Sequence, residues 1–229
     1  MIYICKLISP LATGISAGDI EVGKEVVLNE NSSPVNYIVV HQGLPGDMYD
    51  SSCEGTWVLR KDIAENRVWD SGNVNDYANS DINAYLNGDW LTRYDSDVAG
   101  QIVQCKIPYV NGSGDSPVAS GASGLSVKAF LLGGYEVGWT TSNSPYFPVD
   151  GAKLAYFTSG TSTSADKNRI AYLNGVATYW WLRAPYTDNT RAAWGVGSDG
   201  DHNGWGSINS YGIRPCIILP FTFKFKEVS

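Results

Sequence analysis

The residues of this sequence that could do chemistry are concentrated in one polar, glycine-rich stretch at residues 186–210. Within it, the run Asp199-Gly-Asp-His-Asn-Gly matches the first half of a calcium loop, in which oxygen ligands alternate along the chain. The twelfth position of such a loop, where a bidentate carboxylate belongs, is Ser210. Asp199, Asp201 and Asn203 are therefore candidate metal ligands, but a loop without the last carboxylate binds calcium poorly or not at all. We interpret the run as a polar turn and predict no metal site.

Catalytic chemistry has little support in the sequence. His202 lies between Asp201 and Asn203 but has no nucleophile beside it. His41 ends an apolar run, where we expect a hydrogen-bonded structural histidine rather than a base. The chain also lacks a glycine-rich phosphate loop, a GxSxG turn and an HExxH helix. We therefore predict a protein that is not an enzyme and has no cofactor.

Aromatic and arginine side chains flank or occupy the polar stretch. Trp180 and Trp181 are consecutive in a predicted strand, so their rings point to opposite faces and we expect both to serve as core anchors. Trp205 lies inside the stretch and is the better candidate for ligand contact. Arg183 and Arg214 could bind an anionic ligand, but we expect each to hold loop carbonyls or a carboxylate through its fork of donors.

The composition excludes several classes of function. The chain has 229 residues, is 43% hydrophobic and only 17% charged, and carries a net charge of −7. Its basic residues form no cluster, which argues against nucleic-acid binding and against an anionic membrane surface. Abundant glycine (25), tyrosine (14) and tryptophan (8) favour short strands and long ordered loops.

The four cysteines are Cys5, Cys53, Cys105 and Cys216, and their wide spacing excludes CxxC zinc motifs. One or two disulfides stay open, although isolated buried thiols are the preferred interpretation. The apolar start is interrupted by Lys6 and followed by a Ser-Pro pair, which is typical of a first strand or an attachment segment rather than a signal peptide. No apolar run reaches the roughly 18 residues of a membrane span, so we expect no membrane insertion.

The pattern of apolar residues predicts an α+β protein with one domain. Strands are predicted at residues 22–28, 36–41, 56–60, 177–183, 193–196, 213–219 and 221–225. Asn79 or Ser80 can cap a helix that Gly88 would end, and a second short helix is predicted at residues 95–103. Residues 139–168 are predicted to be mostly loop, with a short helix near 153–157 as an open alternative. Most of the interval between residues 185 and 212 is also predicted to be loop.

One combination of motifs is specific: Tyr179-Trp-Trp-Leu-Arg-Ala-Pro, then a glycine-rich loop, then Tyr211-Gly-Ile-Arg-Pro before an apolar strand. It resembles a family of C-type-lectin-like domains from gut bacteria and their phages, which is related in fold to formylglycine-generating enzymes. Several members look like the variable proteins of diversity-generating retroelements. Upstream segments such as Tyr37-Ile-Val-Val-His-Gln-Gly and Lys106-Ile-Pro-Tyr agree, so the resemblance covers about residues 20–220.

The resemblance implies a C-type lectin-like fold, with short twisted β-sheets, two short helices and long ordered loops. It implies an N-terminal segment or first strand at residues 1–20 and a ligand-binding domain at 21–229, with a variable region at about 180–218. In such systems a reverse transcriptase mutates adenines in a template copy, so that asparagine codons become almost any other residue. The implied ligand-binding positions are Tyr186, Thr187, Asp188, Asn189, Thr190, Arg191, Ala193, Gly195, Ser198, Asp201, His202, Asn203, Trp205, Ser207 and Asn209.

Residue chemistry independently favours binding at these positions, because short polar and aromatic side chains on rigid supports make adaptable contact surfaces. The resemblance implies receptor recognition: a phage or prophage product on the tail or another exposed virion site, or a protein on a cell surface. The expected partner is a host-cell surface protein or glycan, and such binders commonly gain avidity as homo-oligomers. Two alternative functions stay open: a calcium-dependent glycan-binding lectin and an enzyme of the formylglycine-generating type. The second needs a cysteine pair, and Cys216 has no close partner in sequence.

Overall fold

The computed structural model describes residues 14–112 and 117–226, which form a mixed α+β fold dominated by short strands. Within these residues the strands are β1 (Gly14–Ser16), β2 (Glu25–Glu30), β3 (Ser33–Gln42), β4 (Thr56–Arg60), β5 (Asn66–Val68), β6 (Cys105–Ile107), β7 (Tyr109–Val110), β8 (Val118–Ala119), β9 (Leu125–Val127), β10 (Ala129–Phe130), β11 (Ala171–Leu173), β12 (Val176–Thr178), β13 (Trp180–Pro185), β14 (Ala192–Val196), β15 (His202–Gly206), β16 (Ser210–Gly212), β17 (Cys216–Leu219) and β18 (Lys224–Lys226). The helices are α1 (Asp81–Leu86), α2 (Ser96–Ala99) and α3 (Thr163–Arg169), with 3₁₀ turns between them.

The first five-stranded sheet has the order β10-β17-β4-β3-β2. Strands β2 and β3 form a hairpin, and its turn residues Asn31 and Ser32 have φ values of 50° and 63°. Positive φ at both turn residues matches the right-handed twist of the paired strands. The strand predicted at residues 56–60 is confirmed as β4, which lies at the centre of this sheet.

The second five-stranded sheet has the order β15-β14-β13-β16-β5 and contains most of the polar stretch. Strands β13, β14 and β15 run antiparallel in sequence order, whereas β16 lies parallel to β13 on its other side. The expectation that residues 185–212 are mostly loop was wrong at β15, which pairs with β14 along its whole length, and at β16, which pairs with β5. The β15 sequence His-Asn-Gly-Trp-Gly contains no β-branched residue, so composition alone does not predict a strand there.

The helices follow the prediction only in part. The Ser80 hydroxyl accepts a hydrogen bond from the Asn83 amide at 3.2 Å, which confirms the cap of α1. The second predicted helix is shorter than expected, since α2 covers only Ser96–Ala99, and residues 153–157 form turns. Helix α3 was not predicted because only Ala165 and Arg169 on it are buried, so it has no apolar periodicity.

The core consists of two apolar clusters on opposite sides of the strands. Along β13, Trp180 and Leu182 belong to one cluster and Trp181 to the other. Strand β4 divides in the same way, with Trp57 in the first cluster and Val58 in the second. This alternation is the period of a strand, and it confirms that both tryptophans of β13 are fully buried core anchors.

The two ends of the described chain meet, because β1 pairs antiparallel with β18. Residues 1–13 of the predicted N-terminal segment, including Cys5, lie outside the described residues. Cys53, Cys105 and Cys216 are buried free thiols, in agreement with the preferred interpretation of these three cysteines. Among the described residues, no helix has the length and apolar character needed to cross a membrane.

Candidate ligand-binding surface

A buried ion pair anchors the strand that leads into the polar stretch. Arg183 donates to both carboxylate oxygens of Glu136, at 2.5 Å and 2.8 Å, and to the carbonyls of Leu131 and Asp150. Burial lowers the pKa of Arg183, but the Glu136 and Asp150 carboxylates outweigh this effect, so the pKa of Arg183 is raised overall. The guanidinium is therefore charged and fully occupied, so the predicted structural role of Arg183 is confirmed.

Arg214 anchors the other side of the polar stretch, and its hydrogen bonds go to backbone carbonyls. Its Nε donates to the carbonyls of Arg60 and Lys61 at 2.8 Å and 3.1 Å, and its guanidinium lies 5.1 Å from the Trp180 ring centre. Burial lowers the pKa of Arg214 to about 10, so it is still charged at neutral pH. Holding loop carbonyls was its expected role, and the contacts confirm it.

The loop between β13 and β14 is held by a side chain from another part of the chain. Asn75 is fully buried, and its Nδ2 donates to the carbonyls of Asn189 and Ala192 at 2.8 Å each and of Tyr186 at 3.2 Å. Its backbone amide donates to the Thr190 carbonyl at 2.9 Å. Four carbonyls of the predicted variable region are thus fixed by one residue.

One face of the second sheet carries an aromatic stack. We define the stack, from its exposed end inward, as Tyr146, Tyr186, Trp194, Phe147 and Trp139, with successive ring centres 5.0, 4.6, 4.0 and 5.8 Å apart and interplanar angles of 21–25°. The buried guanidinium of Arg169 lies 4.5 Å from the Trp139 ring and closes the inner end. His202 packs edge-on against three of these rings, which gives it a structural environment.

The opposite face carries a second group of rings, here called the aromatic cluster: Tyr179, Trp181, Trp205 and Tyr211. Trp205 is central, with ring centres 4.7 Å from Tyr211 and 5.2 Å from Tyr179. Trp181 is buried, whereas Tyr179 is 41% exposed and the other two rings are half-buried. The cluster therefore presents aromatic edges to solvent over a buried base.

The predicted ligand positions divide into three groups by exposure. Asp188, Asn189, Thr190, Arg191, Asn203 and Asn209 are exposed. Tyr186, Thr187, Ser198, Asp201, His202 and Trp205 are half-buried. Ala193, Gly195 and Ser207 are buried, so these three predictions need correction.

Each correction has a packing reason. Ala193 is part of the core cluster that contains Trp181. The Trp205 ring lies directly over Gly195, where an added Cβ would overlap it and would come within 2.8 Å of the Trp180 carbonyl oxygen. The Ser207 carbonyl accepts from the amides of Trp69 and Asp70, at 3.0 Å each. Ser207 therefore joins its loop to the segment that follows β5.

The calcium-like run folds as a tight turn followed by a strand. The Asp199 carboxylate accepts from the Asp201 amide at 3.1 Å, and the Asp201 carboxylate accepts from the His202 amide at 2.7 Å. Asn203 pairs with Gly195 inside the sheet. Within the described ranges, no three acidic, histidine or cysteine side chains converge as metal ligands. The run therefore forms the turn before β15 and the start of that strand, and Asp199, Asp201 and Asn203 lie in this turn and strand.

His41 is also structural, as its position after an apolar run suggested. Its Nδ1 accepts from the Ala155 amide at 3.1 Å, and burial lowers its pKa. The imidazole therefore ties β3 to the loop at residue 155.

A polar cleft lies at the outer edge of the second sheet, between β5 and α1. This edge cleft has a volume of about 630 Å³ and is lined by Glu65, Asn66, Arg67, Val68, Asp81, Ile82 and Ser210. The Arg67 guanidinium lies 3.2 Å from the ring centre of Tyr85, and its Nε donates to Glu65 at 2.9 Å. Arg67 is the register partner of Tyr211, so the cleft adjoins the aromatic cluster.

Sequence reasoning missed the residues that organise this surface from a distance. Asn75 and Glu136 contact partners more than 45 positions away, and neither has a local motif that indicates this role. Arg169 fixes the 197–201 turn by donating to the Gly200 carbonyl at 2.8 Å. Tyr146 stands in a loop without periodicity; the only available signal was the adjacent Tyr-Phe pair in a region poor in other apolar residues.

Comparison with known proteins identifies the family. The model of a domain of unknown function, DUF6273, matches residues 54–221, a segment that contains β4, both aromatic groups and the edge cleft. No curated protein and no solved structure matches the chain. Because the matched segment covers most of the 229 residues, the chain belongs to the DUF6273 family.

Proposed function

We propose that this protein is a non-enzymatic receptor-recognition protein with a C-type lectin-like fold that displays diversified C-terminal loops. It is a variable protein of a diversity-generating retroelement, encoded by a phage or prophage, and it binds a ligand on a bacterial surface. Its place of action is the virion tail, another exposed virion site, or a cell surface. Oligomerisation would multiply weak contacts into avidity.

The observation that carries this proposal is that the backbone of the predicted variable region is held in place while several of its side chains point into solvent. The backbone of residues 186–192 is held by Asn75, and residues 202–206 are held in β15. The side chains of Asp188, Asn189, Thr190 and Arg191 nevertheless point into solvent. Exposed substitutions away from buried contacts change stability little, so such positions tolerate diversification.

The chemistry of the exposed set also supports binding. Asn203 and Asn209 add amide donors and acceptors beside the half-buried ring of Trp205. A rigid aromatic ring offers contact area at a low entropy cost, and short polar side chains adapt their hydrogen bonds to the partner. The net charge of −7 favours partners other than polyanions.

The test compares two variants in a cell-binding assay. The loop variant changes six exposed positions to alanine: Asp188, Asn189, Thr190, Arg191, Asn203 and Asn209. The control variant changes six exposed positions elsewhere to alanine: Asp19, Asn36, Glu54, Asp62, Thr161 and Lys167. Labelled proteins are incubated with a panel of gut bacteria and bound label is measured by flow cytometry.

We expect wild type and control to bind at least one strain, and the loop variant to lose that binding while keeping its Tm. Equal binding by the loop variant would contradict the proposal. The retroelement part has its own test in the neighbouring DNA. We expect a near-repeat of the segment that encodes residues 180–218, differing only at adenines and lying beside a reverse transcriptase gene. Its absence would refute the assignment to a diversity-generating retroelement.

A further inference from the structure

We propose that the edge cleft and the adjoining aromatic cluster form a binding site for a neutral carbohydrate, independent of calcium. This inference rests on the proposed function, because it names the ligand class of the surface beside the predicted contact positions. The two sets share Trp205, whereas the seven residues that line the cleft lie outside the predicted contact positions.

The cleft has the size and lining of a site for a hydroxyl-rich ligand. Its volume of about 630 Å³ falls in the usual range for small-molecule sites. Five of its seven lining residues are polar: Glu65, Asn66, Arg67, Asp81 and Ser210. Carboxylates accept, guanidinium donates, and amide and hydroxyl groups do both, so together they match sugar hydroxyls, which are donors and acceptors at once.

These groups are already held in place. Glu65 accepts from the Tyr85 hydroxyl at 2.6 Å, from Arg67 at 2.9 Å and from Arg93 at 2.9 Å. Asp81 accepts from the Ser71 amide at 2.8 Å. The guanidinium of Arg67 has four N–H donors besides the Nε–H that bonds Glu65, and its side chain is 40% exposed. Pre-organised groups lose little entropy when a ligand binds.

The charges around the cleft cancel, which favours a neutral ligand. Arg67 and Arg93 supply two positive charges, and Glu65 and Asp81 supply two negative ones. Partial burial raises the pKa of Glu65, but hydrogen bonds from Tyr85, Arg93 and Arg67 outweigh it and lower the pKa to about 2. The cleft therefore keeps the same charge across the neutral pH range.

The aromatic cluster supplies the apolar half of a carbohydrate site. Tyr211 lies across from Arg67 in the strand register, and its ring centre is 4.7 Å from that of Trp205 and 5.6 Å from that of Tyr179. A pyranose ring has one face of C–H groups that packs on aromatic rings and an equator of hydroxyls. Rings beside a charge-balanced polar cleft match both parts of that ligand.

The experiment measures binding of neutral oligosaccharides by calorimetry and tryptophan fluorescence. The probes are tetrasaccharides of glucose, galactose, mannose and N-acetylglucosamine, each with and without EDTA. The test variants are Arg67→Gln and Tyr211→Ala. The matched controls are Lys61→Gln, which breaks an ion pair of similar exposure with Glu25, and Tyr172→Ala, which removes a 44% exposed ring elsewhere.

We expect at least one probe to bind equally with and without EDTA. Each test variant should weaken binding by about tenfold or more, the loss of one charge-assisted bond or one stacked ring. The controls should stay within about twofold. A requirement for calcium, equal binding by all variants, or binding by no probe would each overturn the inference. If no probe binds but cell binding still depends on the six loop positions, the proposed function stands and only the carbohydrate site fails.

Discussion

Replacing Asn75 by aspartate should weaken the hydrogen bonds that hold the loop between β13 and β14. The change keeps the shape of the side chain but replaces the Nδ2 donor with an oxygen. The carbonyls of Asn189 and Ala192, each 2.8 Å from Nδ2, then lose this donor and keep one backbone amide each, from Ala192 and Tyr186 respectively. A typical hydrogen bond contributes about 0.5–1.5 kcal/mol, so the two bonds together amount to about 1–3 kcal/mol.

This loss is a large fraction of the roughly 5–15 kcal/mol that stabilises a typical domain. It should also depend on pH, because a buried carboxylate that faces carbonyls has a raised pKa. When the introduced carboxyl is protonated it donates one hydrogen bond again. The difference between wild type and Asn75→Asp should therefore be smaller at pH 5 than at pH 8.

Urea unfolding at both pH values measures the effect, and amide hydrogen exchange locates it. We expect faster exchange at Asn189 and Ala192, whose amides bond within this loop. Asn174→Asp is the matched control, since Asn174 is exposed in the turn between β11 and β12. An Asn75→Asp protein within 0.5 kcal/mol of wild type at pH 8, a margin typical of neutral surface changes, would refute the reasoning.

Three further changes test the frame of the surface. Glu136→Gln should cost about 3–5 kcal/mol in urea unfolding, because it leaves the buried charge of Arg183 unpaired, and a loss below 1 kcal/mol would mean that the pair is dispensable. Gly195→Ala should displace the Trp205 ring, cost about 1–3 kcal/mol and shift tryptophan emission to the red; unchanged emission would contradict the packing. Burial raises the pKa of Asp150 from 3.8 to about 6, so the folded state keeps a proton that the unfolded chain has lost, and stability falls as pH rises through this window. Relative to wild type, Asp150→Asn should therefore gain about 2–3 kcal/mol between pH 4 and pH 7, and a pH-independent difference would rule this out.

Local rules in the sequence predicted the elements that depend on local physics. Strand β4 combines β-branched, aromatic and aliphatic residues, and Ser80 has the short side chain that caps a helix. Helix α3 and strand β15 have no such signal, because α3 is polar and β15 contains two glycines. In β15 the tertiary structure overrides propensity: Gly204 leaves room for the Tyr186 ring on one face, and Trp205 fills the other.

Six of the predicted contact positions are exposed, but the residues that support them were not predicted. Exposed polar positions could be recognised from residue type, whereas the burial of Ala193, Gly195 and Ser207 depends on rings and loops brought from elsewhere. The partners of Asn75 lie more than 110 positions along the chain. Such contacts cannot be inferred from spacing in one sequence.

The glycines under the two aromatic groups also limit which combinations of side chains this sheet can hold. The Cβ that a substitution would add at Gly195 needs the volume filled by Trp205, and that at Gly204 would lie 2.6 Å from the Tyr186 ring. Positions 204 and 186 therefore compete for one volume, whereas a side chain at 195 must also displace the Trp180 carbonyl. Across the DUF6273 family a bulky residue at 204 should covary with a small one at 186. If mutagenesis draws both positions independently, products that are large at both should fail to fold, so the usable library is smaller than the number of codon combinations.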